Sequence, residues 1–239
     1  MKSNSIVLTC FNRLHTLEQQ LNIAVNSPVI DNIIICHNNP KKQLPQTPLL
    51  ANRKVTLLKS KLPRCASYRW RVALELGLNY AILLDDDTFL SHAQIQSLFE
   101  KILTEPSRPH GLIGSCFTEK HFINQATGRA TNTWHINENR AVDVLHQVYC
   151  VNKLHIEGFF HLTKNQPESW AKDYLCMSDD IFISIAGKHK PLIHDLGTIQ
   201  EDEQGWSPLI ALHKQPNFDK IRADVLTFFS ETEQFPLPT

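Results

Sequence analysis

The chain has 239 residues, and its 24 Lys and Arg residues balance its 24 Asp and Glu residues, so its formal net charge is zero. A neutral chain argues against a dedicated nucleic-acid-binding protein, which usually carries a basic excess. Hydrophobic residues make up 42% of the chain, which argues against disorder and allows a globular core. The length suits one domain, which we expect to span residues 1–239.

The six cysteines are far apart and form no Cys-x-x-Cys pair, which argues against a structural zinc site. No apolar stretch is long enough to cross a bilayer, and the apolar run at the N-terminus is too short for a signal peptide. We therefore expect reduced cysteines in a soluble cytoplasmic protein without stable membrane insertion. The even number of cysteines leaves disulfides open, and a removed leader would instead imply a lumenal protein.

The first half of the chain alternates strand and helix patterns. Short apolar runs predict buried strands over residues 6–10, 30–36, 55–58 and 80–84. Helical spacing of apolar residues predicts helices from Leu14 to Ala24 and over residues 65–78. A further helix is expected over residues 91–103, with Ser91 as its N-cap. This alternation implies α/β class, with a mostly parallel, Rossmann-like central sheet and helices on both faces.

The second half is less regular. The pattern predicts strands over residues 112–117, 142–151 and 191–196. Residues 154–162 fit a strand or a helix, and residues 218–229 have helical spacing. Ser178 precedes a predicted helix over residues 179–186, which has two acids in its first turn, where the helix dipole favours negative charge.

Three adjacent carboxylates follow the most apolar predicted strand, at Asp85, Asp86 and Asp87. Ligands of open α/β sheets bind at the carboxyl ends of the strands. Carboxylates crowded there repel one another unless a cation neutralises them, and their oxygens suit Mn²⁺ or Mg²⁺ bridged to a diphosphate. A solvated acidic turn before the next helix is the alternative, but the position at the strand end favours a metal site.

Two further groups of charged residues are candidates for the same site. Capping of the predicted helix is the simpler interpretation of Asp179 and Asp180, although such a pair also suits an acceptor hydroxyl or an oxocarbenium-like centre. Arg64, Arg69 and Arg71 lie around the helix before the acidic strand, and Arg binds phosphate with a planar, two-pronged donor group. At least one of the three is expected on an exposed helix face.

Several separated segments occur in the order of one known family. They are the two strand-end segments Cys10-Phe11-Asn12-Arg13 and His37-Asn38-Asn39, the Arg-bearing helix, and the acidic segments Leu84-Asp85-Asp86-Asp87-Thr88 and Ser178-Asp179-Asp180-Ile181. This set resembles the exostosin-like α-N-acetylhexosaminyltransferase domain, a retaining glycosyltransferase family of the GT-A type that uses UDP-N-acetylhexosamines. The resemblance covers roughly residues 5–215. Its triple-Asp motif is common to many GT-A enzymes, whereas the ordered set is more specific.

The resemblance implies donor-binding roles for residues after the first two strands and on the Arg-bearing helix. Phe11, Asn12 and Arg13 would line the pocket for uridine and the phosphates. Asn38 or Asn39 would lie beside the nucleoside, and Arg64 or Arg69 would approach the donor.

The resemblance also implies roles for the acids and for one histidine. Asp85 and Asp86 would contact the donor sugar or the ribose, while Asp87, together with Asp85, would hold Mn²⁺ or Mg²⁺. Asp180, with Asp179, would lie at the reacting face of the sugar. His213, which follows Gly205-Trp206-Ser207, matches a family His near the diphosphate.

The implied activity is the metal-dependent transfer of a sugar, expected to be an N-acetylhexosamine, from a UDP-sugar to an unidentified glycan, lipid or protein acceptor with retention of configuration. Residues 1–105 would form the nucleotide-binding half of the domain, and residues 106–239 the acceptor-binding half. No nucleic-acid partner is expected.

Three alternatives remain open from the residues alone. An inverting GT-A enzyme of polysaccharide or glycolipid synthesis would use the same nucleotide pocket, with Asp180 as a general base. A nucleotidyltransferase would share the sheet and the metal carboxylates, but it usually has a Gly-rich loop after its first strand, where this chain has residues 10–13 and no glycine. A lectin-like sugar-binding protein would need no diphosphate.

Overall fold

The computed structural model describes residues 3–117, 122, 131–164, 166–168, 170, 172–202, 212–215 and 217–232. Its strands are β1 (Asn4–Cys10), β2 (Asn32–His37), β3 (Val55–Lys59), β4 (Tyr80–Leu84), β5 (Thr88–Phe89), β6 (His110–Gly111), β7 (Ile113–Phe117), β8 (Asn132–Ile136), β9 (Arg140–Ala141), β10 (Val144–His146), β11 (Val148–Asn152), β12 (Leu192–Ile193) and β13 (Gln200–Glu201). Its helices are α1 (Leu17–Asn26), α2 (Tyr68–Glu75), α3 (His92–Thr104), α4 (Lys153–Lys164), α5 (Lys172–Ile185) and α6 (Phe218–Glu231). Short 3-10 turns cover Leu14–Thr16, Pro48–Ala51 and Leu212–Lys214.

The described strands form one eight-stranded sheet in the order β3-β2-β1-β4-β11-β6-β12-β9, with a three-stranded sheet β10-β7-β8 and a pair β13-β5 beside it. β1 lies between β2 and β4 and is parallel to both. β3 is parallel to β2, whereas β11 is antiparallel to both β4 and β6. The predicted α/β class with a mostly parallel central sheet is confirmed.

Helices cover both faces of this sheet and create two hydrophobic cores. In β1, Val7 packs into the core formed with α2, α4, α5 and α6, whereas Ile6 and Leu8 pack into the core formed with α1 and α3. Successive strand residues point to opposite faces, so a strand covered on both sides has a continuous apolar sequence. All five residues of β4 are buried for this reason.

Most predicted elements of the first half are present, with shifted ends. β3, β4 and α3 match their predictions closely, and Ser91 forms a capping box with Gln94 at the start of α3. The predicted helix over residues 65–78 is shorter in the structure, where α2 spans Tyr68–Glu75. Its exposed-face prediction holds for Arg71, which is exposed and pairs with Glu75.

The second half departs further from the sequence patterns. The single strand predicted over residues 142–151 is wrong, because Gln147 takes a positive φ of 60° and separates β10 from β11. Residues 154–162 belong to helix α4. The helix predicted over residues 179–186 is present as the second segment of α5, which follows the non-helical backbone of Ser178. The segment before Ser178, which begins at Lys172, was not predicted.

Cys65 and Cys176 form a disulfide between the turn before α2 and the first segment of α5, 111 residues apart in sequence. The expectation of six reduced cysteines is therefore wrong for this pair. The cysteines no longer argue for a reducing compartment. The other four are free, and burial raises the pKa of the Cys36 thiol to about 12, so that thiol acts as a hydrophobic group. Within the described ranges, no helix combines the length and apolar character that a bilayer span requires.

Candidate functional site

Most of the predicted site residues lie where three parallel strands end. β1 ends at Cys10, β2 at His37 and β4 at Leu84, and the three strands are neighbours in the sheet. Residues 11–13, 38–39 and 85–87 follow them directly. Because parallel neighbours end at the same edge, the sheet brings these three turns together.

Asp86 joins two of these turns through its carboxylate. Its Oδ2 accepts hydrogen bonds from the backbone N–H groups of Phe11, Asn12 and Arg13 at 3.4, 3.3 and 3.3 Å. Its Oδ1 accepts a further bond from Nη1 of Arg13 at 2.5 Å. Asp86 therefore positions the turn after β1, and its predicted contact with the donor remains a prediction.

Side chains of the first helical segment hold the acidic turn from the other side. The hydroxyl of Thr16 donates to the Asp86 carbonyl at 2.7 Å. The amide of Gln20 donates to the carbonyls of Asp85 and Thr88, both at 2.9 Å. These hydrogen bonds satisfy backbone carbonyl groups in a turn where strand pairing is incomplete. They fix the backbone that carries the three carboxylates.

Asp87 is the carboxylate of this turn with the weakest charge compensation. Burial and then the charge of Asp85 raise the pKa of Asp87 to about 7, although Arg13 opposes the shift from 3.4 Å. Among the residues described, no three His, Cys, Asp or Glu side chains converge as a ready-made metal site. A cation such as Mg²⁺ does not need such a cluster, because it is often held by one or two carboxylates together with substrate phosphates. Asp87 and Asp85 fit a cation held in this way.

The buried guanidinium of Arg69 links the acidic turn to helix α5. Its Nη1 donates to Oδ1 of Asp85, and its Nη2 donates to Oδ2 of Asp179 at 3.1 Å. Arg69 is only 1% exposed. Two acidic segments that are distant in the sequence thus become neighbours through one side chain.

Aromatic rings surround this cation. The guanidinium carbon lies 4.7 Å from the ring centre of Tyr149 and 5.4 Å from that of Trp70, so both rings add cation–π attraction. The indole N–H of Trp70 also donates to Oδ2 of Asp179 at 2.8 Å. Burial disfavours the charged form of Arg69, but Asp85 and Asp179 outweigh it and raise its pKa well above the usual value. Arg69 is therefore a permanent cation in the site.

Asp180 lies in a second network, made with residues that the sequence patterns did not single out. Nη1 of Arg222 on α6 lies 2.6 Å from Oδ1 of Asp180, and Nδ1 of His146 on β10 lies 3.1 Å from its Oδ2. Nε2 of His146 lies 2.9 Å from the hydroxyl of Ser115 on β7. No pattern in a single sequence pairs residues so far apart, although each lies at the end of a predicted element or inside one.

The two neighbouring carboxylates have opposite pKa shifts. Burial raises the pKa of Asp179 to about 6, although Arg69 opposes the shift. Burial acts in the same direction on Asp180, but Arg222 and His146 outweigh it and lower its pKa well below the usual range. Asp180 is therefore ionised at neutral pH. The side chain of His146 is neutral there, because burial lowers its pKa.

The residues predicted to bind the nucleoside lie in the turns after β1 and β2. Nδ2 of Asn39 donates to Oδ1 of Asn12 at 3.2 Å, which connects the turns after β1 and β2. The backbone N–H of Asn38 donates to the Cys10 carbonyl at 2.8 Å. The carbonyl of Asn38 accepts from the Arg64 backbone N–H at 2.9 Å, while the Arg64 side chain is exposed.

His213 is exposed on the 3-10 turn Leu212–Lys214. Partial burial lowers the pKa of His213. The charges of the neighbouring Lys214 and, more weakly, of Arg13 act in the same direction. The preceding Gly205-Trp206-Ser207 segment lies outside the described residues.

No protein-family model matches the sequence, and no curated protein matches it. Among solved structures, the chain is similar to the crystal structure of residues 1–349 of TarS from S. aureus, with a TM-score of 0.53. The two share 11% sequence identity over 95% of this chain and 72% of that one. TarS is a glycosyltransferase, and a likeness at this identity shows the fold alone. The chain therefore has a glycosyltransferase fold, while the exostosin-like resemblance stays a prediction.

Arg222→Met should destabilise the protein strongly, because it leaves the ionised Asp180 buried without its cation. Breaking a buried ion pair from one side costs about 3–5 kcal/mol of the free energy of unfolding. Adding Asp180→Asn removes the uncompensated charge, so the double variant should regain most of that loss. Urea unfolding of the wild type, the single variants and the double variant measures the coupling. A double variant no more stable than Arg222→Met would show that the pair is not coupled.

Proposed function

We propose that this chain is a glycosyltransferase that moves an N-acetylhexosamine from its UDP donor to a glycan, lipid or protein acceptor, in a metal-dependent reaction with retention of configuration. One observation carries the proposal. Arg69 holds Asp85, at the strand-end edge, against Asp179, on the helix that also bears Asp180. A glycosyltransferase fold with acids gathered at this edge suits a donor with both a diphosphate and a reacting sugar.

The donor nucleotide is assigned to the turns after β1 and β2. The half-buried ring of Phe11 offers a flat apolar surface for uracil, and the side chains of Asn12 and Asn39 are already tied together beside it. Asparagine offers both a donor and an acceptor, which matches the alternating groups on the uracil edge. We expect preference for UDP over GDP, because uracil is the smaller base and its edge matches the donor and acceptor of an asparagine amide.

The divalent cation is assigned to Asp87, with Asp85. Both carboxylates follow β4, and the raised pKa of Asp87, caused first by burial and then by Asp85, indicates negative charge that Arg13 compensates only in part. When bound, a divalent cation would neutralise charge on the departing diphosphate. Arg13, 3.4 Å from Asp87, is the nearest protein cation for the same phosphates.

The reacting sugar is assigned to the Asp179–Asp180 segment. Asp180 remains ionised because Arg222 and His146 lower its pKa, so it can stabilise positive charge that develops at the anomeric carbon. These partners also make it a weak base. An inverting enzyme with Asp180 as general base would need a pKa nearer the working pH, so the lowered pKa of Asp180 supports the retaining proposal.

UDP should bind tightly only in the presence of Mn²⁺ or Mg²⁺, and Asp87→Asn should weaken this binding about tenfold or more. The reason is that Asp87 offers the charge that the cation needs beside the diphosphate. Isothermal titration calorimetry of UDP in Mn²⁺ and in EDTA measures both effects. Equal UDP affinity in the two buffers would contradict the metal assignment.

Two controls separate the metal site from general damage. The fold disfavours ionised Asp87, since its pKa is raised, so at neutral pH the neutral Asn should not lower the melting temperature measured without metal. Glu75→Gln removes an exposed acid on α2 and should leave UDP binding unchanged. GDP binding as tightly as UDP would argue against the uracil pocket.

Loss of Asp180 should lower kcat about a hundredfold or more while changing UDP affinity little, because its charge is needed only in the transition state. Asp180→Asn alone strands the buried Arg222, so the better variant is Asp180→Asn with Arg222→Met. The measurement is the slow hydrolysis of UDP-N-acetylhexosamine, with UDP titration and thermal melting alongside. Near-normal hydrolysis by a stable double variant would assign Asp180 a structural role only.

A further inference from the structure

Strand β8 presents an exposed tryptophan beside the Asp180 network. Trp134 pairs with Ser115 of β7 and is 52% exposed. One side of its ring stacks on His146, with ring centres 4.2 Å apart and planes inclined by 24°. The same imidazole contacts Asp180 and Ser115 through its two nitrogens. His146 therefore fixes the orientation of the indole through one of its faces, while much of the indole surface is exposed to solvent.

Ile136 extends the apolar surface of β8. It lies two residues beyond Trp134, on the same face of the strand, and is 47% exposed. Other large apolar residues, such as Leu154 on α4, are also exposed, and single exposed residues of this kind need no functional explanation. Trp134 differs because its ring is stacked on a member of the network that holds a site carboxylate.

We propose that Trp134 is the platform on which the pyranose ring of the acceptor lies, an assignment that rests on the proposed function. One face of a pyranose ring consists of C–H groups, and its hydroxyls project around the edge. A rigid indole can bury that face while the hydroxyls remain hydrogen-bonded to water or polar side chains. Trp also loses little conformational entropy on binding, because it has only two side-chain torsions.

The size of the surface selects a sugar over a protein partner. A specific protein interface needs about 1,000 Å² or more of buried surface, and one indole with a neighbouring isoleucine offers far less. A single sugar ring is comparable in area to a single indole. The imidazole of His146, on which the indole stacks, is also uncharged, because burial lowers its pKa. An uncharged surface suits a neutral pyranoside.

The position of Trp134 separates it from the donor turns. A continuous series of contacts runs from Asp85 through Arg69 to Asp179, and the adjacent Asp180 continues it through His146 to Trp134. The donor turns lie at the Asp85 end and the tryptophan at the other. The acids between them are where a transferred sugar would pass from donor to acceptor.

Binding to a printed array of pyranosidic glycans tests the proposal, with fluorescently labelled protein in saturating UDP and Mn²⁺. The wild type should bind at least one glycan, and Trp134→Ala should weaken that binding roughly tenfold or more, as loss of one stacking surface predicts. Trp134→Phe keeps a flat ring and should retain most of the binding. Leu154→Ala, which removes an exposed apolar side chain on α4, should match the wild type.

Three other readouts separate this role from its alternatives. If Trp134 only shields His146, Trp134→Ala should keep its glycan binding but lose thermal stability and change its rate of donor hydrolysis, and that result would overturn the proposal. A wild type that binds UDP but no glycan would overturn it as well, and would leave the donor assignment intact. Trp134-dependent glycan binding without UDP binding would support the platform but overturn its acceptor role together with the proposed function.

Discussion

The guanidinium of Arg69 is the charge around which the acidic residues of this protein are arranged. It is 1% exposed and binds Asp85 and Asp179 at once. A buried cation alone would cost several kcal/mol, and carboxylates packed together without a cation would repel one another. Each is tolerated because the other is present. A lysine would not serve equally well, since its compact ammonium lacks the planar fork that reaches two acceptors in fixed directions.

A covalent bond strengthens the same connection between α2 and α5. Cys65 lies just before α2, and Cys176 lies two residues before the interruption of α5 at Ser178. Trp70, from α2, adds its hydrogen bond to Asp179. The break in α5 is thus held at a fixed place beside the strand-end turns. Burial raises the pKa of Asp179 against the opposing charge of Arg69, whereas Arg222 and His146 outweigh burial at Asp180, so neighbouring residues with the same side chain have opposite pKa shifts.

Patterns in the sequence predicted the parallel strands and the turns that follow them, because periodicity and strand-end position are local properties. They therefore placed Asp85, Asp86 and Asp87 directly after β4, at the carboxyl-end edge of the sheet, where the structure has them. They could not show that the Asp86 carboxylate binds the chain itself, or that Arg69 is buried on its helix. The partners of Asp180 are 34 and 42 residues away, at His146 and Arg222, and only the packing of β10, α5 and α6 brings them together. The strand β8 was missed because it lies in a polar stretch without clear alternation.

The central claim is that the acidic residues joined by Arg69 bind and act on a nucleotide sugar. The most direct measurement is a hydrolysis screen of nucleotide sugars, with the uridine, guanosine and adenosine diphosphate series each incubated with Mn²⁺ and with EDTA. The account predicts release of UDP from a UDP-N-acetylhexosamine in Mn²⁺ and none above background in EDTA. Turnover of no nucleotide sugar, or equal turnover in EDTA, would contradict it.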